Sequence, residues 1–388
     1  MSTVLLDLTH TSHTRARTGI QRVVRALHRE LGAGAAAVTH DPYLGEWRSL
    51  EPWELENLAA TEAGPSRGAH WPWTARWRSR WRRAMTRPEE VVLRGDFRGF
   101  LTAEVFSPAV AANLPEFFPR VAVFHDAIAL RFPELSPAGT VARFPGYLQD
   151  LLRFDGIAAV SDESRDSLLA YWRWLGVDNP PPVKTISNGV DVPPASELTP
   201  AVSPSALPVV LSVGTLEGRK NHLALLEACE QLWTRGEKFE LRIIGSVNRQ
   251  TGRAALEKLR ALQLAGRPLR YDGPLGDDAV DAAYAGCAFT VYPSLAEGFG
   301  LPVIESLARG RPCVCSVHGA LGELSRGGGC LALAQVDDAS LATAIAQLLT
   351  DPAGLATLSA AAQGRTFKTW AAYAAELAAW MQGLPRRG

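Results

Sequence analysis

Short apolar runs alternate with stretches of helical periodicity along most of the chain. The residues Ile20, Val23, Val24, Leu27 and Leu31 have the i, i+3, i+4, i+7 spacing of an amphipathic helix. The same periodicity predicts helices over residues 222–233, 253–264 and 340–349. The apolar runs predict strands over residues 4–8, 91–94, 121–125, 156–160, 209–213, 241–244, 269–272, 289–292 and 312–316. Because strands alternate with helices, the pattern predicts an α/β protein with parallel sheets and crossover helices.

A stretch rich in proline and serine divides this pattern near its middle. Residues 192–208 have no periodicity, which is typical of a linker between domains. We therefore expect two doubly wound, Rossmann-like domains over residues 1–195 and 209–365, joined by a linker over residues 196–208. Since ligands of such domains bind at the carboxyl ends of the strands, we expect the active site in a cleft where the two domains face each other.

The composition narrows the class of protein. The 388 residues include 40 Lys plus Arg and 40 Asp plus Glu, and this zero net charge argues against a nucleic-acid partner. The five cysteines lie in apolar or glycine-rich contexts, which is typical of reduced, buried thiols in a cytoplasmic protein. The N-terminal residues resemble a strand more than a signal peptide, and no apolar run is long enough to span a bilayer.

The most informative motif lies between Glu297 and Glu305. A predicted strand precedes it, and Gly298, Phe299, Gly300 and Leu301 follow Glu297 before a proline suited to the first turn of a helix. A helix N-terminus presents unpaired N–H groups and the positive end of its dipole to an anion. The motif therefore predicts a phosphate site flanked by two carboxylates.

This motif closely resembles the signature of retaining glycosyltransferases of the GT-B fold, family 4. The resemblance implies the GT-B architecture, with an acceptor-side N-terminal domain and a C-terminal domain that binds the nucleotide sugar. It implies that Glu297 lies by the donor sugar and that Glu305 binds the nucleotide ribose. It also assigns a donor-binding role to residues 298–301. The terminal segment, residues 366–388, forms a helix that either crosses back to the first domain, as in many GT-B proteins, or packs on its own domain.

A second loop, residues 214–222, carries two adjacent cations after a predicted strand. Arg219 offers a planar fork of donors and Lys220 a point charge, and both suit a diphosphate. The loop resembles the family's Gly-Thr-Leu-Glu-Pro-Arg-Lys-Asn element, with Gly218 in place of the usual proline. The resemblance implies that Arg219 and Lys220 neutralise the diphosphate leaving group and that Thr215 lies at the donor.

The first domain holds further candidates. His125 follows a predicted strand and, with Asp126, resembles the family's His-Asp element, in which the histidine contacts the donor sugar and the aspartate orients a loop or the acceptor. Ser161 suits either a donor contact or a helix cap. Gly19 lies in a Thr-Gly-Ile-Gln-Arg-Val element that resembles a polysaccharide-associated branch of the family. There it either lets a phosphate or hydroxyl approach the acceptor side or simply begins a helix capped by Thr18.

An insertion over about residues 47–87 falls outside the resemblance. Trp73, Trp77, Trp81 and Met85 recur every fourth residue and would form one stripe on a helix. The stripe is surrounded by arginines, namely Arg76, Arg78, Arg80, Arg82, Arg83 and Arg87. Such a surface suits the headgroup region of an anionic membrane. The alternative is that the tryptophans pack on the first domain and the arginines point outward.

Together these features predict a retaining glycosyltransferase that moves a hexose or deoxyhexose from a nucleotide-diphosphate sugar to an acceptor hydroxyl. The acceptor would be a glycan, a lipid-linked glycan or another hydroxyl compound in surface polysaccharide or glycoconjugate assembly. No Asp-x-Asp motif occurs, so we expect neither a metal nor another cofactor. We expect a cytoplasmic protein in contact with the inner face of the membrane. The alternatives are another GT-B enzyme, such as a nucleotide-sugar epimerase or a phosphorylase, and a non-catalytic nucleotide-sugar-binding subunit.

Overall fold

The computed structural model describes residues 3–60, 68–85, 96–194 and 207–386. The strands in these ranges are β1 Thr3–Asp7, β2 Ala35–Asp41, β3 Glu46–Ser49, β4 Phe97–Thr102, β5 Arg120–Phe124, β6 Gly156–Ala159, β7 Val183–Thr185, β8 Val209–Val213, β9 Glu240–Ile244, β10 Leu269–Tyr271, β11 Phe289–Tyr292, β12 Cys313–Ser316 and β13 Cys330–Leu333. The helices in the same ranges are α1 Gly19–Leu31, α2 Pro52–Ala59, α3 Trp73–Met85, α4 Pro108–Ala112, α5 Ile128–Arg131, α6 Ala138–Asp150, α7 Asp162–Trp174, α8 His222–Thr234, α9 Arg253–Leu264, α10 Asp277–Gly286, α11 Leu301–Ala308, α12 Gly319–Ser325, α13 Asp338–Thr350, α14 Pro352–Gln363 and α15 Trp370–Gln382. The predicted strand 91–94 and most of the predicted linker lie outside the described residues.

The first compact unit contains residues 1–126, 143–189 and 370–388. Its described strands form one sheet in the order β3-β2-β1-β4-β5-β6-β7. The pairs are parallel except at one edge, where β2 and β3 are antiparallel. This edge departs from the predicted purely parallel sheet, because a short turn reverses the chain at Gly45, which has a φ of +87°.

The terminal helix α15 belongs to this first unit. Met381 packs so closely on β4 that a Cβ atom added to Gly99 would lie 2.7 Å from its methyl carbon. Trp380 lies equally close to Gly156 of β6, at 2.9 Å from such an added Cβ. Two strand glycines therefore let the helix approach the sheet, and α15 packs on the first unit.

The second compact unit contains residues 127–142 and 190–369, so the boundary between the units crosses α6. Its described strands form a parallel sheet in the order β10-β9-β8-β11-β12-β13. The predicted strands 209–213 and 289–292 and the predicted helix 253–264 are confirmed to the residue. Buried apolar residues fill both faces of the sheet, as parallel strands covered by helices require.

The strand order of the second unit has a switch point between β8 and β11. From β8 the chain proceeds outward through β9 and β10, and it then returns to place β11 on the other side of β8. The loops that follow β8 and β11 therefore leave the same edge of the sheet side by side, where open α/β sheets bind ligands.

Close backbone packing supports the loop that follows β8. A Cβ atom added to Gly245, in the loop after β9, would lie 1.9 Å from the carbonyl oxygen of Gly214. Only glycine permits this approach, since any side chain would push the two loops apart. The amide of Gly214 also donates a hydrogen bond to the carbonyl of Ile244 at 2.8 Å. This bond ties the start of the β8 loop to the end of β9.

Candidate functional site

Two loops build the candidate site at the switch point of the second unit. After β8, Gly218–Lys220 form one turn of 3-10 helix, and Asn221, with a φ of 55°, is the N-cap residue that precedes α8. After β11, the amide of Leu295 donates a hydrogen bond to the carbonyl of Arg219 at 2.8 Å. Arg219 Nη1 also lies 3.3 Å from the carbonyl oxygen of Ala296. These contacts hold the two loops next to each other.

Three residues predicted to be catalytic meet in one ion-paired cluster. Glu297 Oε2 lies 2.8 Å from Arg219 Nη1, and Glu297 Oε1 lies 2.5 Å from Lys220 Nζ. The other amino group of Arg219, Nη2, pairs with Glu217 Oε1 at 2.9 Å. Glu297 and Lys220 are almost buried, with 7% and 9% of their side chains exposed, whereas Arg219 is 24% exposed. The cluster is therefore a compact charge centre with one accessible cation.

The charges in this cluster depend on one another. Burial raises the pKa of Glu297, but Arg219 and Lys220 oppose it and lower the pKa to about 2. Burial lowers the pKa of Lys220, and Glu297 opposes that shift. Glu297 is consequently an anion at neutral pH, and its two partners keep it charged in a nearly dry environment.

Tyr292, the last residue of β11, anchors Lys220. Its hydroxyl contacts Lys220 Nζ, and the centroid of its ring lies 4.5 Å from the same nitrogen. Burial raises the pKa of Tyr292 well above its ordinary value, so the group remains a neutral phenol. Lys220 therefore has one lasting neutral partner in Tyr292 and one charged partner in Glu297.

The second glutamate of the motif lies apart from this charge centre. Glu305 is on α11, is 3% exposed, and its Oε2 lies 3.2 Å from the hydroxyl of Tyr284. Gly300 precedes the helix with a φ of +102°, and a Cβ atom there would lie 2.7 Å from a methyl carbon of Leu321. Pro302 falls in the first turn, as predicted. The ribose contact of Glu305 stays a prediction.

The remaining donor-side candidates are mostly buried. Phe299 and Leu301 are 7% and 8% exposed. Thr215 Oγ1 lies 3.3 Å from Ser246 Oγ. A groove of about 500 Å³ borders Leu295 and Asn221 beside the Glu297 loop.

Sequence reasoning missed three residues that surround the two cations. It assigned no role to Glu217, Tyr292 or His222, although each is within a few residues of a predicted site residue. His222 is 2% exposed, and burial together with Lys220 lowers its pKa to about 3, so it is a neutral imidazole. The positions of these three residues could have indicated their roles, because residues at the strand ends and loop starts of a switch point lie next to the ligand.

His125 lies in the first unit, directly after β5. Its Nε2 lies 2.7 Å from the carbonyl oxygen of Ala103, so Nε2 carries the proton and donates it there. Burial lowers the pKa of His125, so the ring is neutral at neutral pH. Asp126 follows it and is partly exposed. The sugar-side role of His125 and the orienting role of Asp126 stay predictions.

Two other candidates in the first unit begin helices. Ser161 caps α7, because its hydroxyl accepts the amide of Ser164 at 3.1 Å. Of the two alternatives for Ser161, the structure therefore supplies the cap, and a donor contact stays a prediction. Thr18 precedes α1, but its hydroxyl contacts the side chain of Gln21 and caps no backbone amide. Gly19 is exposed at the start of the helix.

A buried carboxylate pair lies at the switch point of the first unit, between β1 and β4. Glu104 accepts the amides of His10 and Thr11, both at 2.6 Å, and Asp7 accepts the hydroxyl of Thr102 at 2.8 Å. Burial, with the nearby charge of Asp7, raises the pKa of Glu104 to about 8. The pair holds the loop that precedes α1. Sequence reasoning missed it because the strand β4 was not predicted.

The structure decides which way the tryptophan stripe faces. In α3, Trp73, Trp77 and Trp81 are 78%, 67% and 53% exposed, whereas Ala75 and Ser79 are buried. The alternative that the tryptophans pack on the first domain is therefore wrong. The reason is a polar anchor on the opposite face, where the hydroxyl of Ser79 donates to the buried carboxylate of Asp41 at 2.6 Å.

Neither a metal-ligand cluster nor a membrane-spanning helix occurs among the residues that the structure describes. In the described ranges, no three or more His, Cys, Asp and Glu side chains gather as a metal site would require. None of the helices in that part of the chain combines the length and the apolar character needed to cross a bilayer.

Comparison with known protein families gives a match to most of the second unit. Residues 199–365 match the family described as glycosyl transferases group 1. This stretch contains the β8 loop with its two cations and the β11 loop with Glu297. The charge centre thus lies inside the matched domain.

Two curated relatives from Escherichia coli extend the likeness to more of the chain. The serotype-specific mannosyltransferase WbdA is 28% identical over 333 residues, which cover 80% of this chain and 38% of WbdA. The O-antigen chain mannosyltransferase B is 30% identical over 261 residues, which cover 64% of this chain and 66% of that relative. The chain therefore spans well under half the length of WbdA.

A solved structure supports the architecture. Anabaena HepE in complex with UDP and glucose matches with a TM-score of 0.70 at 16% identity, over 99% of this chain and 100% of HepE. At this identity the likeness concerns the fold alone. It confirms the predicted α/β class with two Rossmann-like domains of the GT-B type.

Proposed function

We propose that this chain is a retaining glycosyltransferase that moves a hexose or deoxyhexose from a nucleoside-diphosphate sugar to an acceptor hydroxyl. The observation that carries the proposal is the cluster of Arg219, Lys220 and Glu297 in the domain that matches glycosyl transferases group 1. Two cations beside a carboxylate suit a reaction in which a diphosphate leaves and the sugar carbon gains positive charge.

In this proposal the cations stabilise the negative charge that develops on the leaving diphosphate. Arg219 supplies a planar fork, and Lys220, held by Tyr292, supplies a point charge. Glu297 and the backbone of residues 298–301 contact the donor sugar, and Glu305 accepts hydrogen bonds from the ribose. His125 contacts the donor sugar, as the resemblance to family 4 implies.

Retention follows if the acceptor hydroxyl attacks from the face on which the diphosphate departs. The same cations take the charge-neutralising role that a metal has in other transferases, so we propose that the reaction needs no metal. The names of the two Escherichia coli relatives support an O-antigen-like polysaccharide as the context and mannose as the first sugar to test.

The decisive experiment combines the full chain with a panel of nucleotide sugars, starting with GDP-mannose, with and without a glycan acceptor. We expect release of nucleoside diphosphate that depends on the acceptor and continues in EDTA. We also expect NMR of the product to show the anomeric configuration of the donor. An inverted product contradicts retention, and loss of turnover in EDTA contradicts metal independence.

The same assay separates the rival functions. Formation of an isomeric nucleotide sugar without an acceptor would favour an epimerase, and cleavage that requires inorganic phosphate would favour a phosphorylase. Binding of a nucleotide sugar with no turnover in any combination would favour a non-catalytic subunit.

A second proposal concerns the exposed face of α3, which we propose contacts an anionic membrane surface. Its three tryptophans are exposed. The guanidinium groups of Arg76 and Arg80 flank them, 5.9 and 5.2 Å from the ring centroid of Tyr43. Indole rings and cations side by side match the headgroup layer, where rings enter the interface and arginines meet lipid phosphates.

Vesicle flotation tests the membrane proposal. We expect the full chain to float with vesicles that contain phosphatidylglycerol and to stay behind with phosphatidylcholine alone. Replacing Trp77 and Trp81 together with alanine should lower the bound fraction by about tenfold, because two interfacial anchors are lost. Trp174→Ala is the matched control, since Trp174 is 79% exposed on α7 of the same unit. Equal loss of binding in the control, or no flotation of the wild type, contradicts the proposal.

A further inference from the structure

The carboxylate of Glu297 contacts the cationic nitrogen atoms that a donor diphosphate would need. Its two carboxylate oxygens contact Arg219 Nη1 at 2.8 Å and Lys220 Nζ at 2.5 Å. Glu217 holds the other amino group of Arg219 at 2.9 Å. The two cations proposed for the donor diphosphate therefore already carry an anion from their own chain.

A diphosphate and this carboxylate cannot share the cations at low cost. With its pKa lowered to about 2, Glu297 keeps its negative charge at neutral pH. A diphosphate placed on the same nitrogens would meet a like charge in a nearly buried setting, where repulsion is weakly screened. Only Arg219 is appreciably exposed, so the incoming anion meets it first.

The contacts around the cluster divide it into a fixed part and a part able to move. Lys220 is anchored by the hydroxyl and ring of Tyr292, and the start of the β11 loop is tied to Arg219 through Leu295. The side chain of Glu297 is held by its ion pairs with these two cations, and its rotatable bonds allow the carboxylate to turn away when the cations receive another anion. The carboxylate of Glu297 can therefore leave while both cations stay in place.

We infer that Glu297 is an internal competitor of the donor diphosphate. The inference rests on the proposed function and adds a regulation of the same site. The diphosphate replaces the carboxylate on Arg219 and Lys220, and the displaced carboxylate turns to the donor sugar. After transfer, the carboxylate returns to the cations and expels the nucleoside diphosphate, so that Glu297 limits product inhibition and speeds product release.

Binding of inorganic pyrophosphate to the full chain, measured by calorimetry, tests this competition without any sugar or ribose. We expect Glu297→Gln to bind pyrophosphate about tenfold more tightly than the wild type, because the amide no longer neutralises the cations. Glu297→Asp keeps the charge but is too short to bridge both cations, so it should have an intermediate affinity. Glu297→Asp also tests the competition if Glu297→Gln folds poorly.

Glu257→Gln is the matched control, since Glu257 is a glutamate of the same unit that pairs with Arg253 outside the charge centre. Its affinity for pyrophosphate should equal that of the wild type. If the wild type binds pyrophosphate and Glu297→Gln binds it no more tightly, the competition is overturned while the proposed function stands. If neither pyrophosphate nor any nucleoside diphosphate binds the wild type or the variants, the proposed function itself fails, and the competition with it.

Discussion

Replacing Arg219 with alanine is expected to lower kcat by about two orders of magnitude and to weaken donor binding by less than about tenfold. The asymmetry has a physical reason. Glu297 and Glu217 already neutralise Arg219 at 2.8 and 2.9 Å, so binding a ground-state diphosphate exchanges one anion for another. The negative charge that develops as the sugar bond breaks is new, and only there does the guanidinium gain interaction energy.

The measurement compares kcat from product formation with the dissociation constant of the donor from calorimetry. Lys220→Ala should behave in the same way, since Lys220 shares Glu297 with Arg219. Arg253→Ala is the control, because Arg253 is an exposed arginine of the same unit that pairs only locally, with Glu257. Equal losses of turnover and of donor affinity in Arg219→Ala would assign the residue to uniform binding and contradict the role proposed for it.

Replacing Arg48 with methionine is expected to lower the free energy of unfolding of the first unit by about 3–5 kcal/mol. Arg48 is 7% exposed and binds two carboxylates that are fully buried. Its Nε lies 2.9 Å from Asp41, and its two amino groups lie 2.7 and 2.8 Å from Glu54. Methionine fills much of the same volume but leaves both carboxylates without their cation.

The remaining partners of Asp41 and Glu54 reduce this loss of stability but do not remove it. His13 Nε2 lies 2.8 Å from Glu54, and Ser79 donates to Asp41 at 2.6 Å. Burial raises the pKa of Glu54, but contacts to His13 and Arg48 lower it to about 2. Without Arg48, one of these opposing contributions disappears, and the carboxylate retains its burial cost.

Tryptophan fluorescence during urea unfolding can follow this change selectively. Of the 11 tryptophans, only Trp233 lies in the second unit, so the signal reports mainly on the first. Arg253→Met, which removes an exposed pair in the second unit, should leave the transition where it is. An unchanged midpoint in Arg48→Met would mean that the buried carboxylates find other partners, which contradicts the expected cost.

The prediction of strands succeeded for β8 and β11, where a single serine or threonine interrupts each apolar run, and failed for β2 and β4. β8 and β11 are predicted to the residue because their runs are buried on both faces. β2 begins with a run of alanines, and β4 contains a glycine and an arginine, so neither has a strong strand pattern. As a consequence the pair Asp7 and Glu104, which depends on β1 and β4 being neighbours, could not be foreseen.

The sequence by itself determined the α/β class and the two loops that carry the chemistry, because periodicity, glycine spacing and adjacent cations are local features of a chain. Only the tertiary structure decided that Glu297 closes on both Arg219 and Lys220, since this contact requires β8 and β11 to be neighbours in the sheet although they are far apart in sequence. It likewise decided that the tryptophan stripe of α3 faces outward. A period of four residues defines a stripe, but the buried bond between Ser79 and Asp41 selects the face that is turned inward.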